Sequence, residues 1–393
     1  MLYRQDGYGN ELSQLGFGCM RFTRKGSAID FEKAEAQILK AYELGVNYYD
    51  TAYIYPGSEE CLGKALEKNG LREKVRIATK LPQYMVRSAA QAEKIFGDEL
   101  ARLRTDHVDY YLMHMFTDIA EWERLKAFGI EDWIARHKAD GSIGQIGFSY
   151  HGDSDMFIRI LDAYDWDFCQ IQYNYLDEHS QAGVRGLKAA AGKGIPVMIM
   201  EPLRGGKLVN LPESAKKLCR ESGRDYSPAE WGFRWLWNQE EVTVVLSGMN
   251  SLEMVEENCR IASEAAPGNL NEADAGVIGA VRKEIRAKEK VGCTGCRYCM
   301  PCPKGVDIPG NFYYYNMMYI DRKMQARSEF AQAMGFRKEP GFASQCVGCG
   351  KCEQHCPQHL PIREKLKEAD KALRPLPIKA AIEVARKFMV RKK

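Results

Sequence analysis

Nowhere in the 393 residues do about eighteen apolar side chains run together, the length a helix needs to cross a bilayer. No membrane span is expected. The opening MLYRQDGYGNE lacks the apolar segment of a secretory signal, so a cytoplasmic protein is expected. Charge of one sign is equally scarce: 56 Lys and Arg stand against 53 Asp and Glu, a net of +3. That balance selects no polyanionic partner, and nucleic acid is not expected. Cysteine is thin over most of the chain, with Cys19, Cys61, Cys169, Cys219 and Cys259 scattered. The rest of the 13 crowd between Cys293 and Cys356. In a reducing compartment such crowding points to metal rather than disulfides.

What is present is ordinary for a globular protein, 45% apolar and 28% charged. The length suits a barrel of about 250 residues with a smaller companion. After a hairpin signal around Gly7 to Asn10, strand and helix patterns alternate. Strands are expected at 15–20, 47–51, 75–81, 108–114, 143–149, 168–173, 196–200 and 242–247. Helices are expected at 30–44, capped by Asp30, and at 59–68, 88–103, 156–164, 184–193, 228–237 and 251–263. This is the pattern of a closed parallel α/β barrel, the (β/α)8 or TIM barrel. Pro267 and Gly268 mark a boundary. The expected organisation is a barrel over 1–266, a linker and connecting helix over 267–290, a cysteine module over 291–375 and a basic C-terminal helix over 376–393. That last helix reads as a solvated terminus rather than a membrane or nucleic-acid contact.

Three successive strands end in polar residues. NYYDTAYIY carries Asp50 and Tyr55, the next run ends in Lys80, and the third ends in His114. In a parallel barrel the C-terminal strand ends share one mouth, where chemistry sits. A free phenol, with a pKa of about 10, is a poor acid at neutral pH. An ammonium at Lys80 favours the phenolate and is expected to lower the Tyr55 pKa, while Asp50 keeps Lys80 charged. Each residue alone would more often be packing or a structural ion pair; the set together points to function. Tyr53, Tyr84, Phe116 and Tyr150 are expected near the same mouth.

The cysteines form an internal repeat. Cys293-x-x-Cys296-x-x-Cys299-x-x-Cys302-Pro303 is followed by Cys346-x-x-Cys349-x-x-Cys352-x-x-x-Cys356-Pro357. Three thiolates at this spacing wrap one face of an iron–sulfur cube, and the fourth, before proline, tends to ligate the other cluster. The pairing expected is crossed: Cys293, Cys296, Cys299 and Cys356 on one 4Fe-4S cluster, and Cys346, Cys349, Cys352 and Cys302 on the second. Two zinc sites are the alternative, but zinc prefers separated Cys-x-x-Cys pairs. His355 is a neighbour or a substitute ligand. The segment 312–336 between the copies looks helical. The region 293–357 resembles the helical two-cluster ferredoxin modules of redox enzymes.

DTAYIY, ATK and LMH together resemble the catalytic tetrad of the aldo-keto reductases, a resemblance spanning about 15–258. It implies a tyrosine, Tyr55, that gives a proton to a carbonyl oxygen as hydride arrives from NAD(H) or NADP(H), with His114 fixing the carbonyl. It also implies a cofactor surface: Ser149 and Gln172 at the carboxamide, Leu203 and Gly205 on the loop after strand seven, and Ser247, Gly248 and Asn258 at the phosphate and adenine end. Asn250 with Glu253 reads as a capping box turning amides toward a phosphate. Three positions depart from the family pattern. Its carboxamide asparagine is Tyr150, its stacking ring is Met200, and its arginine for the 2'-phosphate is Met254, beside Glu253, Glu256 and Glu257. These departures weaken the case for NADP.

A hydride moves two electrons and a cluster one, so the two couple cleanly only through an intermediary such as a flavin. No flavin motif stands out, and a flavin stays an option. Three functions follow. One is a reductase or dehydrogenase acting on a small carbonyl or alcohol through Tyr55. Another is a ferredoxin-linked reductase, with ferredoxin or another electron carrier feeding a flavin or substrate. The third is a redox sensor or electron carrier on a non-catalytic barrel.

Overall fold

The computed structural model describes residues 1–26, 28–293, 299–320, 323–331, 334, 340–356 and 359–389. Cys296, Pro357, parts of the helical segment expected at 312–336 and residues 390–393 of the expected terminal helix lie outside the described residues. The chain divides into two compact units, Met1–Val209 with Tyr226–Ala275, and Asn210–Asp225 with Gly276–Lys393.

The first unit opens with a hairpin, β1 (Tyr3–Gln5) and β2 (Glu11–Ser13). β3 (Leu15–Gly18) leads to a small hairpin, β4 (Arg24–Lys25) and β5 (Ala28–Ile29), and helix α1 (Phe31–Glu43). There follow β6 (Tyr48–Asp50), α2 (Ser58–Lys68), β7 (Arg76–Leu81), α3 (Ala89–Leu103) and β8 (Val108–Phe116). Two helices then succeed each other, α4 (Ile119–Lys126) and α5 (Ile130–Ala139), in a stretch for which the sequence pattern gives no helix bounds. The rest is β9 (Ile143–Tyr150), α6 (Ser154–Leu161), β10 (Phe168–Gln172), α7 (Gly183–Gly192) and β11 (Val197–Met200). The segment with α8 (Glu213–Glu221) belongs to the second unit. α9 (Pro228–Trp237), β12 (Val242–Ser247) and α10 (Leu252–Glu264) complete the first.

The strands close in the order β10-β11-β12-β3-β6-β7-β8-β9, every pair parallel. Such strands are covered on both faces and read as unbroken apolar runs; β10 is buried at every residue. Each helix supplies one stripe, as α1 does with Ala34, Gln37, Ile38 and Ala41. Inside the ring, Tyr48, Ala78, Tyr110, Leu112, Phe168, Met198, Val244 and Leu246 pack together with Leu12 of β2. A Cβ on Gly16 would sit 2.7 Å from Leu246, so glycine is what lets β3 pass this layer. The N-terminal hairpin closes the end opposite the mouth, where Tyr110 donates to buried Asp6 at 2.6 Å. Among the described residues no helix is long and apolar enough to cross a membrane.

The second unit is helical. It contains α11 (Glu272–Lys288, from Gly276 onward), α12 (Ile308–Ile320), α13 (Lys323–Phe330), α14 (Lys351–Gln354), α15 (Ile362–Leu373) and α16 (Leu376–Met389). α12 is buried on nearly all sides, the signature of a central helix. Its Ile308, Phe312 and Met318 join Phe330, Leu366 and Leu373 in a core separate from the barrel's.

Candidate active site and cysteine cavity

At the mouth, Asp50 ends β6 and Lys80 stands one residue from the end of β7. The Lys80 ammonium is fully buried, 2.7 Å from each Asp50 oxygen and 2.5 Å from the Thr51 carbonyl. Burial pulls Lys80 down, but Asp50 outweighs it with help from Tyr55, so its pKa is raised and it stays charged. Tyr55 lies on the loop between β6 and α2, its ring centre 5.3 Å from Lys80 Nζ. His114 meets that ring edge-on, centroids 6.1 Å apart. The structure thus brings Asp50, Tyr55, Lys80 and His114 into one cluster.

One expectation is corrected. Burial raises the Tyr55 pKa by more than Lys80 lowers it, and the charges of Asp50 and Glu201 push the same way as burial. The phenol therefore keeps its proton above the usual tyrosine value. For His114, burial and the Lys80 cation hold the imidazole down at about 2, so it is neutral, and its buried Nδ1 has no hydrogen-bond partner among the described residues.

A bulge aims this histidine. The β8–β9 register shifts between Met113 and Phe116, Met115 takes a left-handed φ of 64°, and its N–H donates to Ser149 Oγ at 2.8 Å. An extra residue at a strand end re-aims its neighbours. The same bulge carries Phe116 and Tyr150 into the core, both fully buried, with the Tyr150 hydroxyl on the Asp153 carbonyl. They do not line the mouth as expected. His151 follows, its N–H on the Phe116 carbonyl at 2.8 Å and its pKa depressed by burial to about 4.

The expected cofactor residues fall on the ends of β9, β10 and β12, on the loop after β11 and, for Asn258, on α10. Gln172 donates to Asp177 at 3.1 Å, leaving its buried carbonyl without a partner among the described residues. Leu203 lies against α9, where a Cβ on Gly232 would meet it at 2.5 Å. Asn258 donates to Ser247 Oγ at 3.1 Å. The cap of α10 is Ser251, which accepts from Met254 N–H, rather than Asn250 with Glu253. Ser251 prevails because its backbone is extended where the helix begins.

Arg21 was not singled out by sequence. Its stem lies along Gly248, where a Cβ would come within 3.0 Å, and its guanidinium reaches to 3.1 Å from a Cβ position on Gly205. It makes no hydrogen bond or ion pair among the described residues. Three separate segments meet there, and nothing in a linear sequence joins them.

In the second unit, Cys299, Cys302, Cys346, Cys349 and Cys352 line one cavity of about 330 Å³, with Lys304, Lys351, His355 and Arg363. None of the described cysteines forms a disulfide. Among the described residues no three ligating groups converge on a point that would seat a single ion. The five thiols line one shared volume. The Gly348 amide points at Cys346 Sγ at 3.4 Å, the contact a thiolate ligand favours.

Comparison with known proteins agrees with both units. The pattern of the 4Fe-4S dicluster domain matches residues 292–360. L-galactose dehydrogenase of Arabidopsis thaliana is 24% identical over 301 residues, 71% of this chain and 93% of that protein. An aldo-keto reductase of Strobilurus tenacellus is 29% identical over 73% of this chain and 93% of its own. Among solved structures, an aldo-keto reductase from Bacillus halodurans in its holo form superposes with a TM-score of 0.60 at 28% identity, covering 72% of this chain and 96% of its own. One from Klebsiella pneumoniae, in complex with NADPH, shares the fold at a TM-score of 0.58 and 20% identity, over 72% of this chain and 96% of that one. The pattern of the Aldo/keto reductase family matches residues 14–267, well over half of the sequence, and the chain, an oxidoreductase, belongs to that family.

Proposed function

We propose that the barrel reduces a small carbonyl compound, or oxidises the corresponding alcohol, with Tyr55 as the general acid or base and NAD(H) or NADP(H) as hydride carrier. The observation that carries this reading is the buried Lys80–Asp50 pair beneath the Tyr55 ring, with His114 across from it. When bound, the nicotinamide supplies or takes up the hydride. The chain's own part is protonic. Tyr55 releases its proton to the carbonyl oxygen, and the phenolate left behind is stabilised by the Lys80 charge. Asp50 keeps that charge in place. Neutral His114 donates a hydrogen bond to the same oxygen and sets its angle. Ser149, Gln172, Leu203, Gly205, Ser247, Gly248 and Asn258 would hold the dinucleotide, and the NADPH complex of the Klebsiella relative supports a nicotinamide here.

The cysteine spacing supports two 4Fe-4S clusters, one on Cys346, Cys349, Cys352 and Cys302, the other on Cys293, Cys296, Cys299 and Cys356; the cavity is lined by all four of the first set and by Cys299 of the second. Such clusters supply one-electron transfer. This favours a second reading, in which reduced ferredoxin or a similar carrier feeds a flavin or the substrate at the barrel. Turnover decides between them. With clusters intact, oxidation of NADH or NADPH by aldehydes, lost in Tyr55→Phe, supports the first reading. Turnover only with reduced ferredoxin supports the second.

A further inference from the structure

The loop that carries Tyr55 is gripped from outside the barrel by a residue with no place in the site described so far. Arg102, on the last turn of α3, donates through Nη1 to the Tyr53 carbonyl at 3.3 Å and lays its guanidinium over the Tyr53 ring, 4.2 Å from the centroid. Tyr53 is therefore clasped behind the mouth rather than free to line it. The same Nη1 donates to Glu59 Oε2 at 3.1 Å, and Nε lies 3.5 Å from Glu60. Glu59 is anchored in turn: its side chain is 1% exposed, and Oε1 accepts from Thr79 Oγ1 at 2.6 Å. Thr79 precedes Lys80 on β7. Behind it, Glu99 Oε1 lies 3.4 Å from the same hydroxyl, and Glu99 accepts from Tyr111 at 2.6 Å.

The close crossing of α2 and α3 makes the contact. A Cβ on Gly63 would sit 2.5 Å from the Leu103 carbonyl, so glycine lets the end of α3 reach Glu59. Arg102 thus ties the middle of the Asp50-to-Tyr55 loop to β7, the strand that carries Lys80. At its start the loop is also tied to β7, where Thr51 N–H donates to the Ala78 carbonyl at 2.8 Å and Lys80 to the Thr51 carbonyl at 2.5 Å; its middle and end have less. Tyr55 N–H donates to Ala52 and Thr51 Oγ1 meets Ser58 Oγ at 2.8 Å, and its phenol makes no hydrogen bond among the described residues.

We propose that Arg102, held by Glu59, is a positioning residue that fixes Tyr55 over Lys80. The proposal rests on the reading of Tyr55 as the acid. A planar guanidinium can stack and donate at once, which an ammonium cannot. A misplacement of about 1 Å at a reacting group can cost on the order of 100-fold in rate.

The test uses the full chain with clusters loaded. Arg102→Met is expected to lower kcat by about 10- to 100-fold while cofactor Kd and KM stay within about threefold, and to speed amide exchange at Tyr55 by about tenfold or more. Arg102→Lys restores the bond to Glu59 but not the stack, and recovers only part of kcat. Should Arg102→Met fold poorly, Glu59→Gln removes the charge that holds the arginine and is expected to show the same pattern in weaker form. Unchanged kcat and unchanged exchange at Tyr55 would overturn the proposal, as would a loosened loop with full kcat. The exchange readout does not depend on turnover. An active Tyr55→Phe would sink the acid assignment, whereas loss of function by Tyr55→Phe beside full activity in Arg102→Met would sink the positioning role alone.

Discussion

Lys80 acts on Tyr55 through space and not through a hydrogen bond: its ammonium lies 5.3 Å from the phenol ring centre while its donors point to both Asp50 oxygens and the Thr51 carbonyl. Asp50 is thus what lets a fully buried cation exist at this place. Removing one partner of a buried pair leaves the other charged and unpaired, which costs about 3–5 kcal/mol, whereas removing both is often close to neutral. Lys80→Met and Asp50→Asn are each expected to lower the thermal midpoint sharply. The double variant should be more stable than Lys80→Met, and as inactive. Melting curves of the three against the unaltered chain check this; additive losses would mean that the pair is not coupled.

The raised pKa of Tyr55 fixes the sign of the pH response. Burial keeps the proton on the phenol through neutrality, so carbonyl reduction is expected to hold its rate from about pH 6 to 9, while alcohol oxidation, which needs the phenolate, should climb by up to about tenfold per pH unit. Rates in both directions across this range provide the check. A reduction rate that falls off near pH 7 would place the acid elsewhere.

His114 adds a stability term of its own. Its folded pKa, about 2, lies below the roughly 6.5 of an unfolded histidine. Between those values the unfolded chain binds a proton that the folded chain refuses. Stability is thus full above the unfolded value and falls as pH drops through it, at about 1.4 kcal/mol per unit. Going from pH 7 to 5, the unaltered protein is expected to lose roughly 2 kcal/mol more than His114→Asn does. Denaturant melts at both values measure the difference.

The tetrad positions were legible because the apolar runs of β6, β7 and β8 lead into Asp50, Lys80 and His114 near their ends, and burial on both faces makes such runs continuous. What followed β8 was not. Met115 adopts φ 64° with no glycine or asparagine to announce it, and the resulting bulge turned Phe116 and Tyr150 from expected mouth residues into core. The missed α4 did carry a signal, the capping box of Asp118 and Glu121. Arg21 and Arg102 had none, since each matters through glycines, carbonyls or rings brought from remote segments. The cysteine repeat was readable at the level of spacing, whereas the asparagines that hold its two copies were not.

Arg21 is expected to offer a bound dinucleotide a cation. Its stem lies along Gly248 and its guanidinium reaches Gly205; the Glu201 carboxylate feels its charge, but no ion pair within 4 Å engages it among the described residues. A charge-assisted hydrogen bond contributes about 1.5–3 kcal/mol, and Arg21→Ala is expected to raise the Kd for NADH or NADPH by about tenfold or more. Titration by nicotinamide fluorescence tests it. An unchanged Kd would remove Arg21 from the cofactor surface.

Two asparagines of α12 hold the approaches to the two cysteine motifs. Asn316 accepts from the Lys290 and Val291 amides at 2.8 and 3.0 Å and donates to the Val291 carbonyl at 2.6 Å, just before Cys293. Asn311 accepts from Ala343 at 3.2 Å and donates to the Gly341 carbonyl at 2.9 Å, just before Cys346. A leucine at either place fills similar space but leaves the buried Val291 or Ala343 amide without its acceptor, at about 1–3 kcal/mol each, while the Val291 and Gly341 carbonyls keep the Cys293 and Asp307 N–H groups. Because binding of a metal group and folding of its ligand loops are linked, Asn316→Leu and Asn311→Leu should each lower the iron retained per chain, by up to about half, and the double variant by more. Iron assay and visible absorbance read the loss, and far-UV circular dichroism reports whether the barrel persists. Full iron in both single variants would show that the loops are held by the thiolate bonds alone.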